Sequence, residues 1–289
     1  MSDDAHEPTP AALPLRVLVK GASTVGWTSM MGGPRNDFIV PRVIESALLE
    51  RGRPCQVQTY TMASEPTSTI LGTWQREVVG FSPDAIVMIY GHYETIHLFL
   101  PRWLEIHANS LRGRPRRLAL LYRRKILRPF WSTLAKLQAA IDVRLEPTRL
   151  RPGRPRRVAD DLETYIGHVR KVASPLVVLV ELLPPASRFV SWFPGMPRRI
   201  EVMNEHVRGL VERLDSPDVR YVRVRDLVDT YFDGDLDRAT PDGFHYAPEL
   251  HDLVGRRVAS VVDEWARTKT HLVTGGNTSI LPPGGATDL

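Results

Sequence analysis

The stretch LRVLVKGAST, residues 15–24, decides the fold of this 289-residue chain. Its first part is a short apolar run that ends at Gly21, a pattern typical of a strand buried in a parallel sheet. Its second part is a small polar loop that places Ser23 directly after the strand and leads toward a helix. A buried strand followed by such a loop and a helix predicts the first half of a βαβ unit.

The same alternation of strands and helices continues along the chain. Further strands are predicted at residues 55–62, 84–91, 175–185 and 219–224. Amphipathic helices are predicted at residues 37–52, 67–81, 94–111, 158–173, 198–214 and 249–268. This order predicts one α/β/α domain with right-handed crossovers and a central parallel sheet of about five strands. Ligands bind beyond the C-terminal ends of the strands in such sheets, so the residues after each strand are the candidates for a site.

Composition and length fit one large globular domain. Hydrophobic residues make up 43% of the chain and charged residues 25%, which is ordinary for a soluble protein with a sizeable core. The single cysteine, Cys55, excludes an intramolecular disulfide and a cysteine-based zinc site. The sequence has neither the apolar core of a secretory signal nor an apolar run long enough to span a membrane, so we expect a cytoplasmic protein. We predict a single domain at 15–268, with disordered tails at 1–14 and 269–289.

Positive charge is concentrated in one predicted helical insertion, residues 112–157, which we call the basic segment. It holds fifteen Arg and Lys residues against Asp142 and Glu146, a local balance of +13, whereas the whole chain carries +5. Its central part, residues 118–141, interleaves apolar and aromatic residues with cations. This pattern fits a solvated surface, a lid over an acyl site, a surface for an acidic carrier protein or a phosphorylated substrate, or a helix at a membrane surface. Nucleic-acid binding is not favoured, because no recognition motif accompanies the charge.

Candidate catalytic residues lie after the first predicted strand and before the last predicted helix. Ser23 follows the first strand, and Asp242 and His245 lie three residues apart on the turn TPDGFHY before the last helix. On one tight turn, an Asp carboxylate can accept a hydrogen bond from the imidazole Nδ1–H, which leaves Nε2 to take a proton from a serine hydroxyl. Gly243 provides the backbone freedom for that turn. The plainer interpretation is a turn serine, a common PDG turn and a helix-capping histidine.

Three short motifs resemble the sequence blocks of the SGNH/GDSL hydrolases. GAST at 21–24 matches the block Gly-Asp-Ser, with Ala22 in place of Asp, and DGFH at 242–245 matches the block Asp-x-x-His. GHYE at 91–94 matches Gly-x-Asn-Asp/Glu at its first and last residues, with Tyr93 at the asparagine position. The three motifs occur in the order of the family, with GAST and GHYE after predicted strands and DGFH before the last predicted helix.

The resemblance implies a flavodoxin-like three-layer α/β/α fold and a serine esterase or acyltransferase. Ser23 would form an acyl-enzyme, His245 would act as general base and then as general acid, and Asp242 would orient it. The resemblance implies no metal or organic cofactor, and a small-molecule or carrier-bound acyl ester as the substrate. The alternative is a protein that keeps the fold without efficient catalysis and binds a ligand or an acidic partner through the basic segment.

The oxyanion hole is where this sequence departs from the family. The family uses the backbone N–H of the nucleophile, here Ser23, together with a glycine N–H and an asparagine side chain. The glycine region contains Glu65 here, and the asparagine position after Gly91 contains Tyr93. Loss of one donor costs ~10²–10³ in rate, so a replacement is needed for efficient catalysis. The Tyr93 hydroxyl and the Glu65 backbone N–H are the candidates, and His92 is expected to point away from Tyr93 if the strand continues.

Overall fold

A computed structural model gives the structure of the chain. It describes residues 13–26, 38–61, 66–96, 121–127, 129–130, 132–134, 136–137, 140, 154–190, 195–269 and 272. The predicted tails therefore lie outside the described residues, apart from Leu13, Pro14, Lys269 and Leu272. Leu272 is buried in the hydrophobic core, and the Lys269 ammonium donates to the Asp218 carboxylate at 2.8 Å.

Five parallel strands form one central sheet, as the sequence predicts. The strands are β1 (Leu15–Gly21), β2 (Cys55–Thr61), β3 (Ala85–Ile89), β4 (Leu176–Val180) and β5 (Val219–Val222). Their order across the sheet is β2-β1-β3-β4-β5, which is the flavodoxin-like order. The chain winds outward in opposite directions from β1 and β3, so a crevice opens between the C-terminal ends of these two strands.

Helices cover both faces of the sheet and complete the three-layer α/β/α fold. They are α1 (Ser23–Gly26), α2 (Val40–Glu50), α3 (Ile70–Trp74), α4 (His92–Ile96), α5 (Arg154–Val169), α6 (Ser187–Val190), α7 (Met196–Leu214), α8 (Arg225–Tyr231), α9 (Leu236–Ala239) and α10 (Pro248–Arg267). Helix α2 packs against α10, and α5 packs against α3 and α7. Among the described helices, none combines the length and the hydropathy that a membrane span requires.

Packing of α2 against α10 depends on a glycine. A Cβ atom at Gly255 would lie 2.5 Å from Val43 Cβ and 3.2 Å from the Val40 carbonyl oxygen. Both distances are shorter than ordinary van der Waals contacts, so a side chain at this position would force the helices apart. The absence of a side chain allows α10, which follows the Asp242–His245 turn, to lie close against α2.

Several element boundaries differ from those predicted. The helix predicted at 67–81 consists of a 3₁₀ turn (Thr67–Thr69), α3 and a π-helical turn (Gln75–Val79). The strand predicted at 175–185 ends at Val180, because the chain leaves the sheet where β5 also ends. Helix α5 begins at Arg154, so the last residues of the basic segment are helical. Most of the helix predicted at 94–111 lies outside the described residues.

A charged pair is buried beneath the crevice, although the sequence predicts an apolar strand there. Lys20 on β1 is fully buried and forms an ion pair with the equally buried Glu77. The Lys20 ammonium also lies 4.8 Å from the centre of the Tyr165 ring. Burial lowers the pKa of Lys20, and its contact with the Glu77 carboxylate opposes that effect. Each charge therefore depends on the other for its stability in the core.

We predict that Lys20→Met lowers the free energy of unfolding by about 3–5 kcal/mol, because it leaves the Glu77 carboxylate buried without its cation. The double variant Lys20→Met/Glu77→Leu should recover most of this loss, because it removes both charges. Urea unfolding followed by circular dichroism measures both values. As a control, Arg213→Met breaks the exposed pair with Glu163 and should cost less than ~1 kcal/mol. A double variant no more stable than Lys20→Met would contradict this account of the pair.

Candidate active site

The crevice between β1 and β3 brings two loops to the same edge of the sheet. Gly21 at the end of β1 is in register with Ile89 at the end of β3. The pairing continues one residue further, because the Ala22 N–H donates to the Ile89 carbonyl oxygen at 3.1 Å. Helix α1 then begins at Ser23 and α4 begins at His92, so both helices start next to the crevice.

The turn that presents Ser23 requires a glycine before it. A Cβ atom at Gly21 would lie 2.3 Å from Val25 Cγ2 and 2.6 Å from the Ile89 carbonyl oxygen. These positions are occupied because the chain folds from strand into helix within a single residue and stays against β3. The Gly that begins the GAST motif is thus explained by close packing, and it fixes the position of Ser23.

The Asp242 side chain builds the turn on which His245 lies. One carboxylate oxygen, Oδ1, accepts hydrogen bonds from the backbone N–H groups of Phe244 at 3.0 Å and His245 at 2.8 Å. Gly243 has a φ of +99°, in the left-handed region that favours glycine, as the turn was predicted to require. The Gly243 carbonyl oxygen accepts from the Ala186 N–H at 3.1 Å, which ties the turn to the chain beyond β4.

Three candidate residues form a continuous hydrogen-bonded chain. The second carboxylate oxygen of Asp242, Oδ2, lies 2.6 Å from His245 Nδ1, and His245 Nε2 lies 2.9 Å from Ser23 Oγ. The side chains of His245 and Asp242 keep 17% and 31% of their surface exposed, so the group lies at the surface of the crevice and not in the core. This is the order of atoms in a Ser-His-Asp arrangement.

The surroundings of Asp242 keep its carboxyl group ionised. Burial alone would raise its pKa, but hydrogen bonds from the His245 side chain and from the N–H groups of His245 and Phe244 outweigh that effect and lower the pKa to about 2. An ionised carboxylate accepts a hydrogen bond from the Nδ1–H group of His245. In a neutral imidazole this leaves Nε2 as the acceptor, and Nε2 faces Ser23.

His92 lies beside the nucleophile loop. The expectation that it points away from Tyr93 assumed that the strand continues. It does not apply, because α4 begins at His92 and successive helical side chains are about 100° apart. His92 Nδ1 lies 3.4 Å from the hydroxyl oxygen of Thr24, the residue after Ser23. Burial, and secondarily the nearby His245, lower the pKa of His92 to about 4, so its ring is neutral at neutral pH.

Of the predicted oxyanion residues, the structure describes Gly91 and Tyr93 but not Glu65. Gly91 has a φ of +120°, and a Cβ atom there would lie 2.2 Å from Met203 Sδ, so glycine is needed where β3 turns into α4. Tyr93 lies in the first turn of α4 and is partly buried. Glu65 lies outside the described residues. Donation by the Tyr93 hydroxyl and by the Glu65 N–H both stay predictions.

Two buried residues support the site through contacts that were not predicted from the sequence: Glu94, which belongs to the GHYE motif, and Arg199. The Glu94 carboxylate accepts a hydrogen bond from the Thr67 N–H at 2.5 Å, and burial raises the pKa of Glu94 against the effect of that bond. The Arg199 guanidinium on α7 donates to the Thr95 carbonyl oxygen at 2.7 Å. Together they fix α4 to the segment after β2 and to α7. The partners are 27 and 104 residues apart, so no local pattern could indicate them.

Comparison with known proteins identifies similar structures. No protein-family model and no curated protein sequence matches this chain. The structure is similar to a lipase/acylhydrolase from Enterococcus faecalis, with a TM-score of 0.55 and 14% identity over 88% of this chain and 96% of that one. It is also similar to a GDSL-like lipase from Bacteroides thetaiotaomicron, with a TM-score of 0.51 and 10% identity over 86% and 88% of the two chains.

A third neighbour is a catalytic mutant of an acetylxylan esterase from Geobacillus stearothermophilus. Its TM-score is 0.54 at 11% identity, and the match covers 89% of this chain and 98% of that one. The similarities extend over nearly the whole length of each neighbour, and the strand order of the sheet agrees with the flavodoxin-like order that the resemblance implied. The chain therefore has the SGNH/GDSL hydrolase fold.

Proposed function

We propose that the protein is a serine esterase or acyltransferase that forms an acyl-enzyme on Ser23. The observation that carries this proposal is the hydrogen-bonded chain from Asp242 Oδ2 through His245 to Ser23 Oγ, with distances of 2.6 Å and 2.9 Å. A serine hydroxyl is a weak nucleophile unless a base is positioned to take its proton, and His245 Nε2 is so positioned.

In the acylation step, His245 Nε2 takes the proton of Ser23 as Oγ attacks the carbonyl carbon of the ester. The carbonyl oxygen becomes negatively charged in the tetrahedral intermediate. The His245 Nε2–H then gives its proton to the leaving alkoxide oxygen as the carbon–oxygen bond breaks, which releases an alcohol and leaves the acyl group on Ser23. Asp242 stabilises the imidazolium without taking its proton.

In the deacylation step, a second hydroxyl compound attacks the acyl-enzyme. His245 Nε2 takes its proton during the attack and returns a proton to Ser23 Oγ as the acyl–serine bond breaks. Water as the acceptor gives a carboxylic acid, whereas an alcohol gives a new ester. The same residues serve both reactions, because the two acceptors differ only in the group attached to the attacking oxygen.

The names of the structural neighbours support an ester as the substrate class. One neighbour is a lipase/acylhydrolase and another is an acetylxylan esterase, whose catalytic mutant carries alanine in place of a serine. In the proposed mechanism the leaving group of the ester is an alkoxide, which His245 protonates as the general acid.

We predict that a fluorophosphonate forms a single covalent adduct with the wild-type protein, detected by intact mass. Ser23→Ala should give no adduct, and His245→Ala should react much more slowly, because the serine loses its base. Ser187→Ala is the matched control, since the Ser187 hydroxyl also donates to a carboxylate, that of Asp237, at 2.5 Å. This variant should be labelled like the wild type. A folded wild-type protein that gives no adduct would sink the esterase proposal.

We predict that Asp242→Asn lowers kcat by about 10⁴-fold, because the amide no longer selects the imidazole tautomer that has Nε2 free. The change also affects stability. The folded-state pKa of Asp242 is lowered from 3.8 to about 2, so its ionisation stabilises the fold by about 2 kcal/mol above pH ~4. This contribution is lost as the pH falls from ~4 through ~2.

Urea unfolding of both forms at several pH values tests the second part of that prediction. The wild type should lose its advantage over Asp242→Asn as the pH is lowered across this range. A difference in the free energy of unfolding that stays constant would show that the Asp242 charge does not contribute. Since the amide oxygen of the Asp242→Asn side chain can still accept from the two backbone N–H groups, the comparison isolates the charge from the turn.

A second candidate function is docking of an acidic partner, such as a carrier protein, through the basic segment. The observation that favours it is the exposure of four apolar side chains in the described part of this segment. Leu121, Ile126, Phe130 and Leu137 each keep at least half of their surface exposed. Exposed cations lie among them, at Arg124 and Lys125. Apolar contact area mixed with positive charge suits a partner with an acidic, partly apolar surface.

We predict that binding of a purified acidic carrier protein weakens as salt is raised from about 0.05 M to about 0.5 M, because the charges are screened. Arg124→Ala/Lys125→Ala should reduce the affinity and the salt dependence together, and Phe130→Ser should reduce the affinity alone. Arg213→Ala, which removes an exposed cation from α7, is the control and should bind like the wild type. Titration calorimetry provides the affinities. Binding that neither salt nor these variants change would contradict docking at the basic segment.

A further inference from the structure

The proposed reaction requires hydrogen-bond donors on the substrate side of the crevice. A negatively charged oxygen develops on the ester carbonyl, and hydrogen-bond donors must be in place before it forms. The Ser23 backbone N–H supplies one. The asparagine that supplies another in the family is replaced by Tyr93, so a second donor has to be a group other than that amide.

His92 is the polar residue that the structure puts against the nucleophile helix at this point. Because Gly21 and Ile89 are in register, the first turns of α1 and α4 face each other across the crevice. The Thr24 hydroxyl, one residue beyond the nucleophile, lies 3.4 Å from His92 Nδ1. His92 also lies close enough to His245 for the two rings to interact electrostatically. His92 therefore contacts Thr24, the residue after the nucleophile, and is a neighbour of His245, the proposed general base.

The contact with Thr24 bears on which nitrogen of His92 carries the proton. A neutral imidazole has one N–H and one acceptor nitrogen. Thr24 is almost completely buried, and His92 Nδ1 is the partner that the described residues offer its hydroxyl. If the hydroxyl donates to Nδ1, the ring proton is on Nε2. Within the part of the chain that the structure describes, Thr24 is the one hydrogen-bond partner of the His92 ring, and the residue is only partly buried.

We propose that His92, held by Thr24, supplies the second oxyanion donor through its Nε2–H and replaces the asparagine of the family. This proposal rests on the esterase function proposed above. A neutral imidazole is suited to the role, because it donates a hydrogen bond to the carbonyl oxygen without carrying a charge that competes with the imidazolium of His245. The ring stays neutral at working pH, since burial and His245 lower the pKa of His92 to about 4.

The first test is steady-state hydrolysis of an activated ester, p-nitrophenyl acetate. His92→Ala should lower kcat ~10²-fold with little change in KM, because the lost hydrogen bond strengthens only in the transition state. His92→Gln, whose amide can still donate, should recover much of the loss. Thr24→Val should lower kcat about tenfold, because a bond that fixes the tautomer contributes roughly 1.4 kcal/mol. Ser187→Ala, which removes a hydroxyl that donates to Asp237, is the control and should retain wild-type kcat, and Tyr93→Phe tests the competing donor.

The second test is binding of phenylboronic acid, which forms a tetrahedral adduct on an activated serine without turnover. The Kd should rise in His92→Ala and return toward the wild-type value in His92→Gln. A pH profile distinguishes a donor from a base. The acid limb of kcat/KM should be unchanged in His92→Gln, because a group that stays neutral contributes no titration to it. Thermal unfolding of each variant provides the check that the fold is intact.

The possible outcomes distinguish failure of the His92 proposal from failure of the esterase proposal on which it rests. If Ser23→Ala retains wild-type turnover, the esterase mechanism fails, and the role of His92 fails with it. If Ser23→Ala is inactive and Tyr93→Phe loses kcat while His92→Ala does not, the mechanism stands and Tyr93 is the donor. A shifted acid limb in His92→Gln would also overturn the proposal, because His92 would then act as a base.

Discussion

The missing side chain at Gly21 is the constraint on which the candidate site depends. Any Cβ atom there would collide with Val25 and with the carbonyl oxygen of Ile89, so only glycine allows β1 to stay paired with β3 and turn at once into α1. That pairing sets Ser23 at the crevice and brings α4 alongside. A small displacement at this point would break the contact between Ser23 and His245, which are 222 residues apart in sequence.

A single carboxylate links the stability of the site to its chemistry. Asp242 uses one oxygen to close the turn through two backbone N–H groups and the other to hold the His245 ring. The charge that orients the imidazole is therefore the charge that builds the loop beneath it. The Gly243 carbonyl oxygen accepts a hydrogen bond from the Ala186 N–H beyond β4. The loop that carries His245 is therefore attached to the same sheet as the loop that carries Ser23.

Much of the fold was predictable from the sequence, because buried parallel strands are apolar at nearly every position and long helices show a clear period. The Asp-x-x-His turn was predictable for a similar reason, since its contacts span only three residues. What the sequence could not indicate depends on contacts between distant segments. Lys20 reads as the polar end of a strand until Glu77 is found beside it, and α8 and α9 are too short, at seven and four residues, to show a period.

The two histidines of the crevice illustrate how charge limits the choice of donor. In the proposed reaction His245 becomes positively charged, and the Asp242 carboxylate 2.6 Å away stabilises that charge. A Lys or Arg at position 92 would carry a permanent positive charge against this imidazolium and would disfavour proton transfer from Ser23. A partly buried histidine avoids that conflict, since its pKa of about 4 keeps it neutral while it retains an N–H. The environment that disfavours a charge on His92 is thus the one in which a neutral donor is most effective.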